Sequence, residues 1–286
     1  MKTIIFLLIM ALTCHFSTLD KQTYVGSTPA HVAVRDFLGI SLTDSIDFIR
    51  WKLEFSSGKF ELHCQYGLSK AGTSGFVNEK RVDFEGELVK KENYYHFKHN
   101  GTRISMLEVN TDLLHLLDQN NKMLIGNGGY SYTLNSTHPV KTDQFNIRPV
   151  QSTFKNPLVF EGRTPCQELS KLLNLNKSDA CNKMKWYIIF YTDSMTGKPS
   201  YYQKGGIGYR KETMERGKWQ IINGKDGRII YHVIPDNRAY SLNLLKGDDN
   251  ILFFVDTNGR LLVGNDDFSY TLNRRIKEYQ PAKNNK

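Results

Sequence analysis

An eighteen-residue segment is written twice in this chain. Asp118 to Asn135 reads DQNNKMLIGNGGYSYTLN and Asp256 to Asn273 reads DTNGRLLVGNDDFSYTLN, identical at ten of eighteen positions. Upstream, Tyr24-Val-Gly-Ser-Thr-Pro29 answers Phe160-Glu-Gly-Arg-Thr-Pro165, Trp51 answers Trp186, and Tyr95-His96 answers Tyr231-His232, all at offsets between 135 and 138. A constant long offset marks a duplicated folding unit, so the chain is expected to form two copies of one domain. The copies span 20–138 and 156–275, with a polar connector at 139–155 and a basic tail at 276–286. Of the 286 residues, 40% are hydrophobic and 23% charged, which supports packed cores and excludes collagen, coiled coil and disorder.

Within each copy the hydrophobic period is mostly two. Val82 to Leu88 and Phe268 to Leu272 alternate; Arg103 to Val109 and Tyr240 to Leu245 do so in part. This is the pattern of half-buried strands. Tyr187-Ile-Ile-Phe-Tyr and Ile251-Leu-Phe-Phe-Val are continuously apolar, as strands covered on both faces would be. Asp118-Gln-Asn-Asn and Asp256-Thr-Asn-Gly sit between apolar runs and are expected to be hairpin turns, because Asn and Gly tolerate positive φ and Asp can bond its own backbone. One short helix per copy is expected near its start. Thr164-Pro165-Cys166-Gln167 offers a capping hydroxyl, a first-turn proline and an N3 glutamine, and Leu169, Leu172, Leu173 and Leu175 follow on one stripe. Val32, Val34, Phe37 and Leu38 do the same after Pro29. The expected fold is all-β, two tandem small antiparallel β-barrels of about six to eight strands, because closure removes sheet edges.

The N-terminus reads as an export signal over 1–17: Lys2, an apolar run from Ile4 to Leu12, then Thr13, Cys14, His15, Phe16 and Ser17. Nine residues are too few to cross a hydrocarbon core of ~30 Å. Cleavage between Thr13 and Thr18 is one expectation. Lipidation of Cys14, whose Ala11-Leu12-Thr13-Cys14 setting loosely resembles a lipobox, is the other. Charge is uneven. Residues 18–140 carry 13 Lys and Arg against 14 Asp and Glu; residues 141–286 carry 24 against 15. A basic half fits an anionic envelope surface or a solvated face, and no nucleic-acid partner is expected of an exported chain.

Cys166 and Cys181 have no cysteine counterparts in the first copy. A pair absent together is what a bonded pair would leave, so an oxidising compartment predicts a Cys166–Cys181 disulfide. Cys64 is expected to be a buried thiol.

The aromatic-x-Gly-x-x-Pro-Cys opening, the dense strands, Gly217-Lys-Trp219 and the terminal aromatic-x-Tyr-Thr-Leu resemble the N-terminal barrel of the NlpE family. These are bacterial envelope lipoproteins linked to copper tolerance and surface sensing. The resemblance covers most of the second copy and, more faintly, the first. It implies a lipocalin-like barrel and a location in the periplasm or outer envelope, touching the membrane only through an N-terminal lipid. The family pairs its cysteines as CxxC directly after the Pro, whereas fourteen residues separate Cys166 from Cys181; its metal and redox chemistry does not carry over.

Reaction chemistry is not legible. The sequence has no CxxC, HxH, HExxH or GxSxG, the spacings that thiolate and imidazole metal sites or a hydrolase elbow require. His63 and Cys64 fall on opposite strand faces. His96 and His232 occupy matching strand positions suited to structural hydrogen bonds. Glu85 and Glu87 share a solvated face. No cofactor, catalytic residue or metal ligand is expected. Arg163, beside the Pro-Cys opening, is the candidate ligand-facing residue, against an ordinary surface role. The expected function is a non-enzymatic envelope binding or sensing module with a small ligand or an envelope partner. The alternatives are a lipocalin-like carrier of an apolar molecule and an envelope enzyme.

Overall fold

The computed structural model describes residues 21–147, 157–174, 181–205, 214–224 and 227–276. The export segment with Cys14, the end of the leucine stripe at Leu175, part of the connector and the tail beyond Ile276 lie outside these residues.

Each copy is a closed eight-stranded antiparallel barrel. Barrel 1 comprises β1 (Gln22–Thr28), α1 (Val32–Leu38), β2 (Phe48–Ser56), β3 (Lys59–Ser69), β4 (Phe76–Lys91), β5 (Tyr94–His99), β6 (Thr102–Asn110), β7 (Leu113–Leu117) and β8 (Thr133–Ser136). Barrel 2 repeats the order with β9 (Leu158–Thr164), α2 (Gln167–Leu172), β10 (Met184–Thr192), β11 (Pro199–Gly205), β12 (Glu215–Asn223), β13 (Ile229–Pro235), β14 (Leu242–Lys246), β15 (Ile251–Val255) and β16 (Thr271–Arg274). Closure is made by β1 on β8 and by β9 on β16, so among the described residues neither barrel leaves an unpaired edge strand.

The residues that matched in the repeat now find one another. Trp51 Nε1 donates to Thr28 Oγ1 at 2.8 Å and Trp186 Nε1 to Thr164 Oγ1 at 2.8 Å, both buried. A buried indole N–H needs an acceptor, which is why a threonine recurs before each proline. This corrects one expectation. Thr164 is committed to Trp186 and does not cap α2, whose N-cap is Cys166 without a side-chain bond. In barrel 1 the cap is His31, whose Nδ1 accepts from Ala33 N at 3.2 Å. Asp118 and Asp256 each bind two backbone N–H groups of their turns, and Asn121 and Gly259 supply the positive φ. Each turn closes one isolated bridge, Leu117 to Met123 and Val255 to Leu261, rather than a hairpin ladder.

Both interiors are filled. Tyr24, Trp51, Phe55, Phe60, Leu62 and Phe97 meet inside barrel 1; Phe160, Trp186, Phe190, Tyr202, Trp219 and Tyr231 meet inside barrel 2. The helices contribute Phe37 and Leu38, and Leu169, to these cores. Cys166 and Cys181 are bonded, and Cys64 is a buried free thiol.

A further apolar cluster belongs to neither interior. Leu107, Leu113, Leu117 and Met123 of copy 1 pack against Leu245, Ile251, Val255 and Leu261 of copy 2. These are outward residues of β6, β7, β14 and β15 and of the turns that follow. The continuously apolar strand Ile251 to Val255 is therefore covered on both faces, one by its own barrel and the other by the neighbouring copy.

Candidate functional site

The repeated segment forms the seam between the barrels. Ser131 Oγ and Ser269 Oγ lie 2.5 Å apart, and Thr271 Oγ1 donates to Thr133 Oγ1 at 3.0 Å. Asn135 Oδ1 accepts from Gly264 N at 2.8 Å, and Asn273 Oδ1 accepts from Gly126 N at 2.8 Å. His115 lies fully buried beside Phe253, with ring centroids 6.0 Å apart. Its Nε2 donates to the Leu124 carbonyl at 2.9 Å. Its Nδ1 is 2.9 Å from Thr133 Oγ1 and accepts from it in the neutral tautomer. Burial pushes its pKa down to about 4, against the opposing pull of the Leu124 carbonyl.

A groove of about 790 Å³ runs along one side of this seam. Copy 1 lines it with Val25, Ser136 and Thr137, the connector with Pro139 and Lys141, and copy 2 with α2 and with Asp256 and the segment from Arg260 to Asp266. Its charges are mixed. Arg260 is held by Asp256 at 2.8 Å and Lys171 by Glu168 at 3.7 Å. The connector is fixed above it, because Asp112 accepts from Val140 N and Lys141 N at 2.7 Å each. Across the seam the environment differs. Glu161 takes the place of Val25, and its carboxylate lies so close to Gly128 that a Cβ there would overlap it. Burial raises the Glu161 pKa above the usual carboxylate range. Arg163 stands beside it near Gly129, its buried Nε without a hydrogen-bond partner among the described residues. The candidate ligand-facing residue thus faces copy 1 across the seam and does not line the open groove.

Two other polar clusters stand out. At the α2 end of barrel 2, Glu215 Oε1 accepts from Tyr202 OH at 2.8 Å and from Tyr240 OH at 2.5 Å. Lys204 Nζ is 3.1 Å from Glu215 Oε2 and also bonds Tyr240 OH. Burial lowers the Lys204 pKa, with Glu215 opposing. The carboxylate and ammonium satisfy each other, so the cluster behaves as a closed network. On the outer face of barrel 1, ligand atoms of Glu54, Glu61 and His63 come within 4.8 Å of one another. Lys21 Nζ sits between the two carboxylates at 2.9 and 3.1 Å, and His63 pairs with Asp83 at 2.7 Å, so an ammonium fills the place a cation would take.

His96 and His232 behave alike, bonded to Ser105 at 2.8 Å and Asn243 at 2.6 Å. Asn100, in an Asn-Gly-Thr glycosylation motif, lies in a hairpin tip, whereas Asn135, in Asn-Ser-Thr, is buried in the seam. The seam itself was not anticipated. Its signal was present, because similarity between the copies is densest in the segment that meets itself. No family model, curated protein or solved structure matches the chain.

Proposed function

We propose that the chain is an exported, non-enzymatic binding or sensing module of the cell envelope. The two barrels act as scaffold, and recognition takes place outside them, in the groove along the seam. The observation that carries this reading is the contrast between interior and surface. Aromatic side chains occupy both barrel interiors, while the groove of about 790 Å³ is shared by both copies and falls within the ~300–1,000 Å³ typical of small-molecule sites. The mixed charge of its walls suits a polar small molecule or a peptide segment better than a lipid.

Titration with the lipophilic fluorophore N-phenyl-1-naphthylamine tests the reading. Filled barrels leave its emission unchanged, whereas a saturable rise at one probe per barrel would establish a carrier instead. Intact mass of the protein from envelope fractions tests export. The expected mass lacks the N-terminal segment, with or without a lipid at Cys14; a mass that retains Met1 would exclude an exported mature form.

A further inference from the structure

Along the centre of the seam one rule recurs: residues 138 positions apart face each other. His115 meets Phe253 edge-to-face at 6.0 Å and Tyr130 stacks on Phe268 at 5.7 Å. Ser131 meets Ser269 and Thr133 meets Thr271. One exchanged pair lies off this line, Asn135 with Gly264 and Asn273 with Gly126; the Arg50–Asp267 ion pair at 2.5 Å and the Ser74–Asp267 bond at 2.8 Å have no mirrored side-chain contact, because Gly129 stands where copy 2 has Asp267. The apolar cluster is built from the same equivalents, Leu107 and Leu245, Leu113 and Ile251, Leu117 and Val255, Met123 and Leu261. A residue that touches its own counterpart lies on a two-fold axis, and exchanged pairs around that axis define an isologous interface. Two domains docked without such symmetry would have no reason to share the repeat offset.

We infer that the seam is a homodimer interface made internal by duplication, and that barrel 1 retains a surface complementary to barrel 1 of a second molecule of this chain, whereas barrel 2 has lost that capacity. Replacing barrel 2 by a second barrel 1 keeps the Ser131, Thr133, Asn135 and Gly126 contacts but loses the Arg50–Asp267 pair, because Gly129 stands in place of Asp267, and leaves Arg50 bonded to the Ser74 carbonyl of its own barrel. It exchanges Phe253 for His, Phe268 for Tyr, Ile251 and Val255 for Leu, and Leu261 for Met, all close in volume and tolerated in packed interfaces. It also sets Val25 against Gly128, where there is room. Replacing barrel 1 by a second barrel 2 sets Glu161 against Asp266. The Glu161 carboxylate already occupies the space a Cβ at position 128 would need, and Asp266 brings both that Cβ and a second negative charge. Overlap with the Glu161 carboxylate and its like charge together disfavour the pairing, with the approach of Arg163 to Asp267, which replaces Gly129, opposing them. Within one molecule the connector holds the copies at an effective concentration on the order of mM, so the closed chain prevails in dilute solution.

The test uses the full chain carrying S131C, S269C or both. Each is held concentrated in urea just below its unfolding transition, returned to buffer, oxidised and mapped by peptide mass. The double variant closes a bond between its two introduced thiols within one molecule. S131C yields dimers joined through the introduced thiol of each molecule, and their fraction rises about tenfold per tenfold in concentration while dimer is the minor form. S269C yields at least about tenfold less, and adding Glu161→Val raises its yield toward that of S131C. Failure of the double variant to close would overturn the seam. Equal yields from the two single variants, or no rise on adding Glu161→Val, would overturn the selectivity. Dimers found only when S131C and S269C are mixed would mean barrel exchange without self-docking, and would overturn the inference.

Discussion

His115 and Phe253 occupy the same place in the two copies and touch each other, yet only one of them titrates. With its pKa near 4 in the folded chain and about 6.5 when unfolded, His115 binds fewer protons folded than unfolded between those values. Its contribution is fully present above about pH 6.5, falls as the pH drops, and levels off below about 4, a total on the order of 3 kcal/mol. His115→Phe removes that dependence. Urea unfolding at pH 7 and pH 4.5 should therefore show a smaller acid loss in the variant, and an equal loss would refute the assignment. Glycines at the seam make a second case. A Cβ on Gly126 would overlap the Tyr130 carbonyl and the Asn273 amide, and one on Gly264 would overlap the Phe268 carbonyl and the Asn135 amide. Gly126→Ala and Gly264→Ala are expected to cost more than about 2 kcal/mol each. Gly259→Ala, in an open left-handed turn, should cost only about 1 kcal/mol. Equal losses in thermal melts would remove the close approach from the account.

Strands and their faces were legible residue by residue. Alternation placed Phe84 and Leu88 inward with Asp83, Glu85 and Glu87 on the outer face, because a one-sided strand must repeat every two residues. Ile251 to Val255 showed no alternation, and it is β15, buried throughout. The helix start was misread because Thr164 satisfies two descriptions in sequence, a cap or an acceptor for a distant indole, and only folding brings Trp186 to it. The pairing of Cys166 with Cys181 was legible from their joint absence in copy 1. At this scale, Cys166→Ser with Cys181→Ser should cost barrel 2 about 3 kcal/mol through the freed loop. Hydrogen exchange should rise in β9 to β16 while β1 to β6 stay protected. Uniform loosening of both barrels would show the bond acting on the whole chain.

Across the whole molecule the seam decides whether two barrels behave as one. Asn135 and Asn273 are both buried and reach into the other copy, so replacing either by alanine leaves a buried N–H unpaired, at about 1–3 kcal/mol. Asn135→Ala should cost more than Asn273→Ala, because Asn135 Nδ2 also donates to the Asn265 carbonyl at 3.0 Å whereas Asn273 Nδ2 has no partner among the described residues, and together they should split a single denaturation transition into two. One transition in the double variant would mean that the apolar cluster alone couples the barrels.

Sequence by itself determined the duplication, the β class, the turn positions, the disulfide and the double burial of Ile251 to Val255, but not that β6, β7 and β14 are covered on their outer faces as well. Each of these is written in local periodicity or in comparison of one copy with the other. Only the tertiary structure decided what covers the apolar strands and why the repeated segment stayed alike. It also decided where Arg163 points and which polar clusters satisfy themselves. These depend on contacts between residues far apart in the chain, and a hydrophobic face specifies that it must be buried without specifying against what.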